Sequence, residues 1–416
     1  MKRKIRKLIS LIITCTMILA VISVSVEANA VDTNKISSRE KIGAYSVANS
    51  FNTGWQDNKL KNKFNSMGEY FLSLDEADVS VLGSEWIIMD LARADKISEE
   101  FALSYYDSVA GFLRKNGSSK LDTSKSTENS KVIIALASIG VDARNIYGYN
   151  LLEPLTDFKF VKKQGINGPI WALIAFDTLG YEITADNTVE EQTTREKLIE
   201  YILEKQLENG GWCLIGSTVD PDMTGMAINA LAPYYNTNKD VKSAIDKALA
   251  KMSELQNEDG GFLSWGVVAP ESCAQMITAL TSLGIDPETD ERFIKNGNTI
   301  FDAMMSFATD NGFSHTSGGC YNQITSEQAF YALTSYFRLK ENKTSLYDMS
   351  DVKIVVPYDI NRDGKFDVTD CTELQKYLVG SVSFDEEQTK DADCDGNTTV
   401  SITDVTFLQM KLAGII

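Results

Sequence analysis

Near the C-terminus, oxygen-bearing side chains recur at spacings that suit a hard divalent cation. Asp359, Asn361, Asp363 and Asp370 stand at positions 1, 3, 5 and 12 of one stretch, and Asp393, Asp395, Asn397 and Asp404 repeat the pattern 34 residues on. Calcium gathers about six to eight oxygens, and a loop of this spacing adds the backbone carbonyl of position 7. Lys365 and Thr399 occupy that position, so two Ca²⁺ ions are expected, one per loop. Position 6 needs a sharp turn, which Gly364 supplies and Thr398 does not. The second site is therefore expected to be the weaker.

Each loop leads into a helix, Asp370 to Gly380 in the first copy and Asp404 to Gly414 in the second. Leu374, Tyr377 and Leu378, like Leu408, Met410 and Leu412, keep helical spacing, which a solvated acidic tail has no reason to do. A full EF-hand has helices on both sides of its loop and usually Glu at position 12. Here Asp fills position 12 and no helix is expected before the first loop. This duplicated loop-helix, from about Val356 to Ile416, resembles a dockerin. The resemblance implies calcium-dependent binding to cohesin modules of a scaffolding protein in the cellulosome, an extracellular polysaccharide-degrading complex. It also implies contact residues at loop positions 10 and 11 and on the helix face that follows: Val368, Thr369, Gln375 and Lys376, with their twins Ile402, Thr403, Gln409 and Met410. These differ from the Ser-Thr and Lys-Arg pairs of the best-known dockerins, which leaves cohesin specificity open. The duplication permits two binding orientations.

The other end of the chain agrees with export. Lys2, Arg3, Lys4, Arg6 and Lys7 precede an apolar run from Leu8 to Val26, and Ala28-Asn-Ala30 has the small residues of a secretory cleavage site. Cleavage is expected after Ala30. The length of the run keeps an uncleaved anchor as the alternative, and no other segment is long enough to span a membrane. Cys15 lacks the small preceding residue that lipid attachment requires. Cys213, Cys273, Cys320, Cys371 and Cys394 remain after cleavage; an odd number cannot all pair, and buried free thiols are expected in a chain long enough to bury a core without disulfides. The net charge of −18 argues against nucleic acid, whose binders cluster Lys and Arg.

Between leader and tail, one apolar helical pattern recurs six times, marked by Leu91, Leu136, Phe176, Leu231, Leu280 and Leu333 at steps of 40 to 55 residues. Steps of that size indicate a repeat architecture of helix pairs. More polar, amphipathic stretches alternate with these, among them Glu190 to Leu207, Lys239 to Gln256 and Glu288 to Thr309; they read as outer helices around six buried ones. The expected fold is all-α: an (α/α)6 toroid of six helical hairpins followed by a small calcium-binding module with two EF-hand-like loop-helix repeats. The expected boundaries are 1–30 signal peptide, 31–345 toroid, 346–355 linker and 356–416 dockerin. Gln206-Leu-Glu-Asn-Gly-Gly-Trp212, Gln256-Asn-Glu-Asp-Gly-Gly-Phe262 and the shortened Asp310-Asn-Gly-Phe313 make the body resemble the prenyltransferase and squalene-cyclase repeat.

Candidate acids for chemistry in the body are Asp222, Glu271 and Asp220, with Glu327, each near the start of a buried helix. Asp220-Pro-Asp222-Met-Thr224 looks like the acid motif of triterpene cyclases with its last Asp replaced by Met223. The missing carboxylate, the short body and export all disfavour cyclase or prenyltransferase chemistry; Asp222 reads more simply as a helix N-cap. A zinc site from Cys273, Cys320 and His315 lacks the usual close spacing, and the lone His315 reads as exposed. A carboxylate pair suits a glycoside hydrolase or lyase, and Trp212, Trp265 and Tyr321 offer aromatic faces to sugar rings or, alternatively, to core packing. Two classes stay open: a body that binds a ligand or carbohydrate, and a polysaccharide-active enzyme. No cofactor site other than calcium is expected.

Overall fold

The computed structural model describes residues 54–74, 80–264 and 266–415. The leader, the cleavage site after Ala30, Cys15 and Trp265 lie outside the described residues. Residues 57–416 form one unit by contact.

Among the described residues, helices dominate and strands are confined to a small hairpin. In chain order the body contains α1 (Gly54–Leu72), α2 (Glu85–Arg93), α3 (Glu99–Asn116), α4 (Ser126–Ser138), α5 (Phe158–Val161) and α6 (Asn167–Asp177). It continues with α7 (Arg195–Glu204), α8 (Pro221–Leu231), α9 (Lys239–Leu255), α10 (Pro270–Ser282), α11 (Ile300–Met305) and α12 (Gln323–Lys340). The hairpin, β1 (Leu263–Ser264) with β2 (Val267–Val268), is antiparallel and precedes α10.

The even-numbered helices carry the apolar sequence pattern, and burial explains why. From Gly168 through Phe176, every residue of α6 is buried. Each large apolar side chain so removed from water contributes about 1.5–3 kcal/mol. α2 packs on α4, α4 on α6, α6 on α8, α8 on α10, α10 on α12, and α12 returns to α2. Their order of neighbours is a closed cycle.

The intervening helices are one-sided. α9 buries Val241, Ala244, Ile245, Ala248, Leu249 and Met252, a stripe at three- and four-residue spacing. It packs on α7 and α8, α7 on α6, and α11 on α10. The stretch expected to be helical over 288–309 is broken instead, leaving only Ile300–Met305 as α-helix. Asn296 and Gly297 take φ of 52° and 84° and turn the chain between Lys295 and Asn298. Asn-Gly favours such a turn over a helix.

The Gln-to-aromatic turns are fixed points. The Gln206 amide donates to the Gly210 and Ala244 carbonyls at 2.6 and 2.8 Å, and Gln256 does the same for Gly260 and Phe293 at 2.8 and 2.9 Å. Gly260 has φ of 86°, and a Cβ there would meet the Thr299 carbonyl at 2.0 Å, so only glycine fits. Trp212, Phe262 and Phe313, which follow these turns, are fully buried.

The segment expected as a linker, 346–355, is held along much of its length across the carboxyl ends of α2, α4, α6 and α12. Arg93, at the end of α2, donates to Asp351 at 2.8 Å and to the carbonyls of Leu346, Ser345 and Asp348. Arg338 donates to Asp351 at 2.5 Å. Met349 N bonds the Thr178 carbonyl and Val355 N bonds the Gly140 carbonyl, at 2.8 and 2.7 Å. Within the strap, Leu346, Tyr347 and Met349 are buried.

The C-terminal module has α13 (Val368–Leu378), α14 (Glu386–Asp391) and α15 (Ile402–Leu412). α13 packs on α15, around buried Ile360, Cys371, Leu374, Ala392, Val405 and Leu408. α14 precedes the second loop, while no helix among the described residues lies between α12 and α13. The module sits against α3: Lys411 pairs with Asp107 at 2.6 Å, and the Tyr358 hydroxyl donates to the same carboxylate at 3.0 Å. Arg114 donates to the Lys411 carbonyl at 3.0 Å.

Candidate functional site

The backbone donors of the two acidic loops match bond for bond. In the first, Asp359 accepts from Asp363 N and Gly364 N at 3.1 and 2.8 Å; in the second, Asp393 accepts from Asn397 N and Thr398 N at the same two distances. Position 12 closes each loop and caps the next helix at once. Asp370 accepts from Asn361 N and Asp367 N at 3.1 and 2.7 Å, and Asp404 from Asp395 N and Ser401 N at 3.2 and 2.8 Å. Both carboxylates are fully buried.

In the second loop this backbone scaffold turns side-chain oxygens toward one point. Carboxylate oxygens of Asp393, Asp395 and Asp404 lie within 4.8 Å of one another, the only such group of three acidic, Cys or His side chains among the described residues. Cys273, Cys320 and His315 therefore do not make a zinc site. The first loop's three carboxylates, Asp359, Asp363 and Asp370, do not converge this closely, and at position 3 the amide Asn361 stands in, its Nδ2 donating to Asp363 at 3.2 Å. Hard oxygen donors without nitrogen or sulfur fit calcium, and the side chains of Asp359, Asn361, Asp363 and Asp370, with the Lys365 carbonyl, would hold an ion in the first loop. Asp393, Asp395, Asn397, Asp404 and the Thr399 carbonyl would do so in the second.

Thr398 takes the strained alternative rather than relaxing the loop: its φ is 70°, against 84° for Gly364. Left-handed backbone is costly for a β-branched residue. The loops also differ at position 4, where Arg362 has φ of 60° and Gly396 has φ of 70°. Each loop thus has one glycine for its two left-handed positions, placed differently.

A second acidic cluster lies at the amino ends of the six helices. Asp220, not Asp222, is the N-cap of α8; its carboxylate accepts from Asp222 N and Met223 N at 2.8 and 3.3 Å. Asp222 lies in the first turn, with one carboxyl oxygen buried and unpartnered. Burial pushes its pKa up to about 6; the nearby Ser272 hydroxyl pulls it down, and the charges of Asp220 and Glu271 add to the rise. Glu271 accepts from the Thr325 hydroxyl and lies 2.8 Å from His315 Nδ1. The histidine is 63% exposed, as expected, but it has this partner.

Further in, Gln323 donates to Glu327 at 2.8 Å, and burial lifts Glu327 to about 7. Asp90 is fully buried with both oxygens unpartnered; burial, then the charge of Glu327, pushes it well above the carboxylate range. Glu85, raised by burial, accepts from Leu82 N and the Tyr105 hydroxyl at 2.5 and 3.1 Å. Sequence reasoning missed Glu85 and Asp90, although charges at both ends of the apolar stretch Trp86-Ile-Ile-Met89 were the signal.

Aromatic side chains run between this mouth and the strap. Trp86 lies 5.0 Å from Trp171 and 6.4 Å from Tyr331, and Trp171 lies 5.9 Å from Tyr347. Trp212 is not among the exposed faces: it is fully buried and donates from Nε1 to the Ile202 carbonyl at 2.7 Å. Tyr321 is half-buried, edge-on to Tyr70 at 5.4 Å. All five described cysteines are free, but only Cys273 and Cys371 are buried and Cys320 is exposed.

The paired loops and short helices define a small, internally duplicated calcium-binding module. The dockerin type I domain family matches residues 357–413, so the chain ends in a dockerin type I domain. Type I dockerins bind calcium and dockerin domains bind cohesin modules, which supports a cellulosome-type, cohesin-binding component and implies an extracellular, cellulosome-associated protein. A comparison with curated proteins finds no match to the chain. Among the described residues, no helix is long and apolar enough to cross a membrane.

The residues expected to meet cohesin lie on the open side of this domain. Val368 and Ile402 are 67% and 62% exposed; Thr369, Gln375, Lys376, Thr403 and Gln409 are exposed and Met410 is half-buried. The side turned to α3 uses other residues, chiefly Tyr358 and Lys411.

Proposed function

We infer that this is an exported cellulosome subunit: a leader over 1–30, a helical body over 31–345, the strap and a dockerin over 356–416 that takes up two calcium ions and docks on a scaffolding cohesin. The observation that carries the reading is the shared backbone hydrogen-bond pattern of the two loops, which supports two metal sites, the second the weaker, and two related contact faces. The closed cycle of six apolar helices, with one-sided helices outside it, favours an α/α toroid for the body. Its acidic mouth binds a ligand or carbohydrate during plant polysaccharide breakdown. Chelation of the whole chain tests the docking half. It is expected to abolish cohesin capture while sparing most of the helical signal, since metal supplies much of a small module's folding energy; capture that ignores the chelator contradicts the reading.

A second reading of the body, as a glycoside hydrolase or lyase, is favoured by one observation. Asp222 is held near a pKa of 6 beside a Glu271 already paired with His315, and acids in unlike environments are what proton transfer uses. Asp220 serves this mouth by capping α8. Asp222→Asn and Glu271→Gln, made separately, distinguish the readings: lost turnover of plant polysaccharide with the fold intact selects the enzyme, and lost binding without any turnover selects the receptor.

A further inference from the structure

The chain has one histidine, and it stands at the acidic mouth with a fixed partner. His315 lies in the turn from Phe313 to Asn322, which leads into α12. Asn322 N bonds the Phe313 carbonyl at 2.8 Å and Gly319 N the Thr316 carbonyl at 2.9 Å. Ser314 bridges to Tyr321, and the Ser314 hydroxyl donates to the Thr316 carbonyl at 2.8 Å. The ring is therefore carried on a braced turn. Glu271, in the first turn of α10, places a carboxylate oxygen 2.8 Å from Nδ1. The Thr325 hydroxyl of α12 donates to the same oxygen, which is thus held from two sides.

A carboxylate oxygen only accepts, so Nδ1 carries the proton of this bond and the neutral ring keeps its lone pair on Nε2. Nε2 has no partner among the described residues. The His315 side chain is 63% exposed, whereas that of Glu271 is 11% exposed. A buried carboxylate that fixes one nitrogen of an exposed imidazole, and leaves the other basic and open, is how a general base and its orienting group are arranged. Asp222, on the adjacent α8, is close enough for the Glu271 charge to act on it.

We propose that His315 is the catalytic base of a glycoside-hydrolysing site at the mouth and that Glu271 is its positioning residue. This rests on the second reading of the body, as an enzyme, and gives Glu271 a supporting part in it. In the step, Nε2 takes a proton from water as the water oxygen bonds to the anomeric carbon. The glycosidic C–O bond breaks, and its electron pair leaves with the departing oxygen, which takes the proton of Asp222. Solvent then removes the proton from the imidazolium and returns one to Asp222, so the net change is the addition of one water. The substrate class is a neutral polysaccharide. A uronate would meet Asp220, Asp222, Glu85 and Glu327, while Lys131, which lies near Glu327, is already paired with Glu128 at 2.9 Å.

The test measures reducing-end release by the full calcium-loaded chain from xylan, galactomannan, mixed-linkage β-glucan and polygalacturonate, repeated for His315→Gln, Glu271→Ala and Thr325→Val. The parent is expected to cleave at least one of the three neutral polymers and to leave polygalacturonate intact. His315→Gln should lower kcat about a hundredfold or more with KM little changed, at a melting temperature equal to the parent's. The acidic limb of the pH profile should vanish with it, since imidazole is the side chain that ordinarily changes charge between pH 5 and 8. Because the ring is unique in the chain, its ¹⁵N NMR signals also report directly on Glu271. The neutral form should carry hydrogen on Nδ1 in the parent and shift toward Nε2 in Glu271→Ala. A smaller shift in Thr325→Val reports the same role should Glu271→Ala fail to fold. Parent-like kcat in His315→Gln overturns the proposal and leaves the hydrolase reading standing. A tautomer unmoved in both Glu271→Ala and Thr325→Val overturns the part given to Glu271, and cleavage of polygalacturonate overturns the substrate class. No cleavage of any neutral polymer overturns the hydrolase reading and the proposal together.

Discussion

Lys411, in the last turn of the dockerin, lies 2.6 Å from Asp107 in the middle of α3, and only 7% of its side chain is exposed. Its ammonium also lies 5.0 Å from the Phe407 ring and 5.6 Å from that of Tyr358. Removing Asp107 would leave that charge against an aromatic wall. Asp107→Asn is expected to cost about 1–3 kcal/mol and to split calcium-loaded thermal unfolding into two transitions, dockerin first. A single unshifted transition would show that the pair does not couple the two parts.

In the metal loops, Asp370→Ala and Asp404→Ala should each disable one site. The first substitution should harm capture more, because Thr398 already handicaps the second loop through its left-handed backbone. Thr398→Gly is expected to relieve about 1 kcal/mol, tightening the weaker calcium step about fivefold in a calorimetric titration. Arg362→Gly should bring no such gain, because Arg362 also pairs with Asp385 at 2.9 Å.

The acidic mouth sets a direction for pH dependence. Asp222 and Glu327 have native pKa values near 6 and 7, raised from 3.8 and 4.5. Their contribution to stability is therefore fully present below about pH 4 and is lost as pH rises through 6 and 7. At about 1.4 kcal/mol per pKa unit, each group accounts for roughly 3–3.5 kcal/mol. Melting temperatures measured from pH 4 to 8 should fall less steeply for Asp222→Asn and Glu327→Gln than for the parent chain. Parallel curves would remove the claim.

The strap obeys the opposite sign. Asp351 is held down at about 2, against the cost of its own burial, by hydrogen bonds and charge from Arg93 and by Arg338. Its contribution is present above about pH 4 and is lost as pH falls toward 2. Asp351→Asn leaves two guanidiniums buried, at 3% and 4% exposure, with a weakened partner. Because the Asp351 side chain is 35% exposed, solvent screening reduces the loss to about 2 kcal/mol. Denaturant unfolding at pH 7 should read this loss, and it should shrink at pH 2.

What sequence revealed followed from periodicity. The loops were legible because calcium fixes the spacing of its donors, and the six buried helices because burial on every side leaves an apolar run such as Ile170 to Phe176. Three features were not legible for want of a local signature. The strap's anchors are Arg93 and Asp351, far apart in the chain. Asp220 and Asp222 exchange the cap and inward roles through two residues of phase. The break in 288–309 came from Asn296-Gly297, a turn former inside an otherwise amphipathic stretch.

The contact between α3 and α15 also governs aim. A dockerin bolted to its body by Lys411, Asp107 and Tyr358 transmits its pose, so capture by one contact face or by its twin would point the acidic mouth along different headings from the scaffold. Orientation, and with it the stretch of substrate within reach, would then be chosen at the moment of assembly rather than by the swing of a tether.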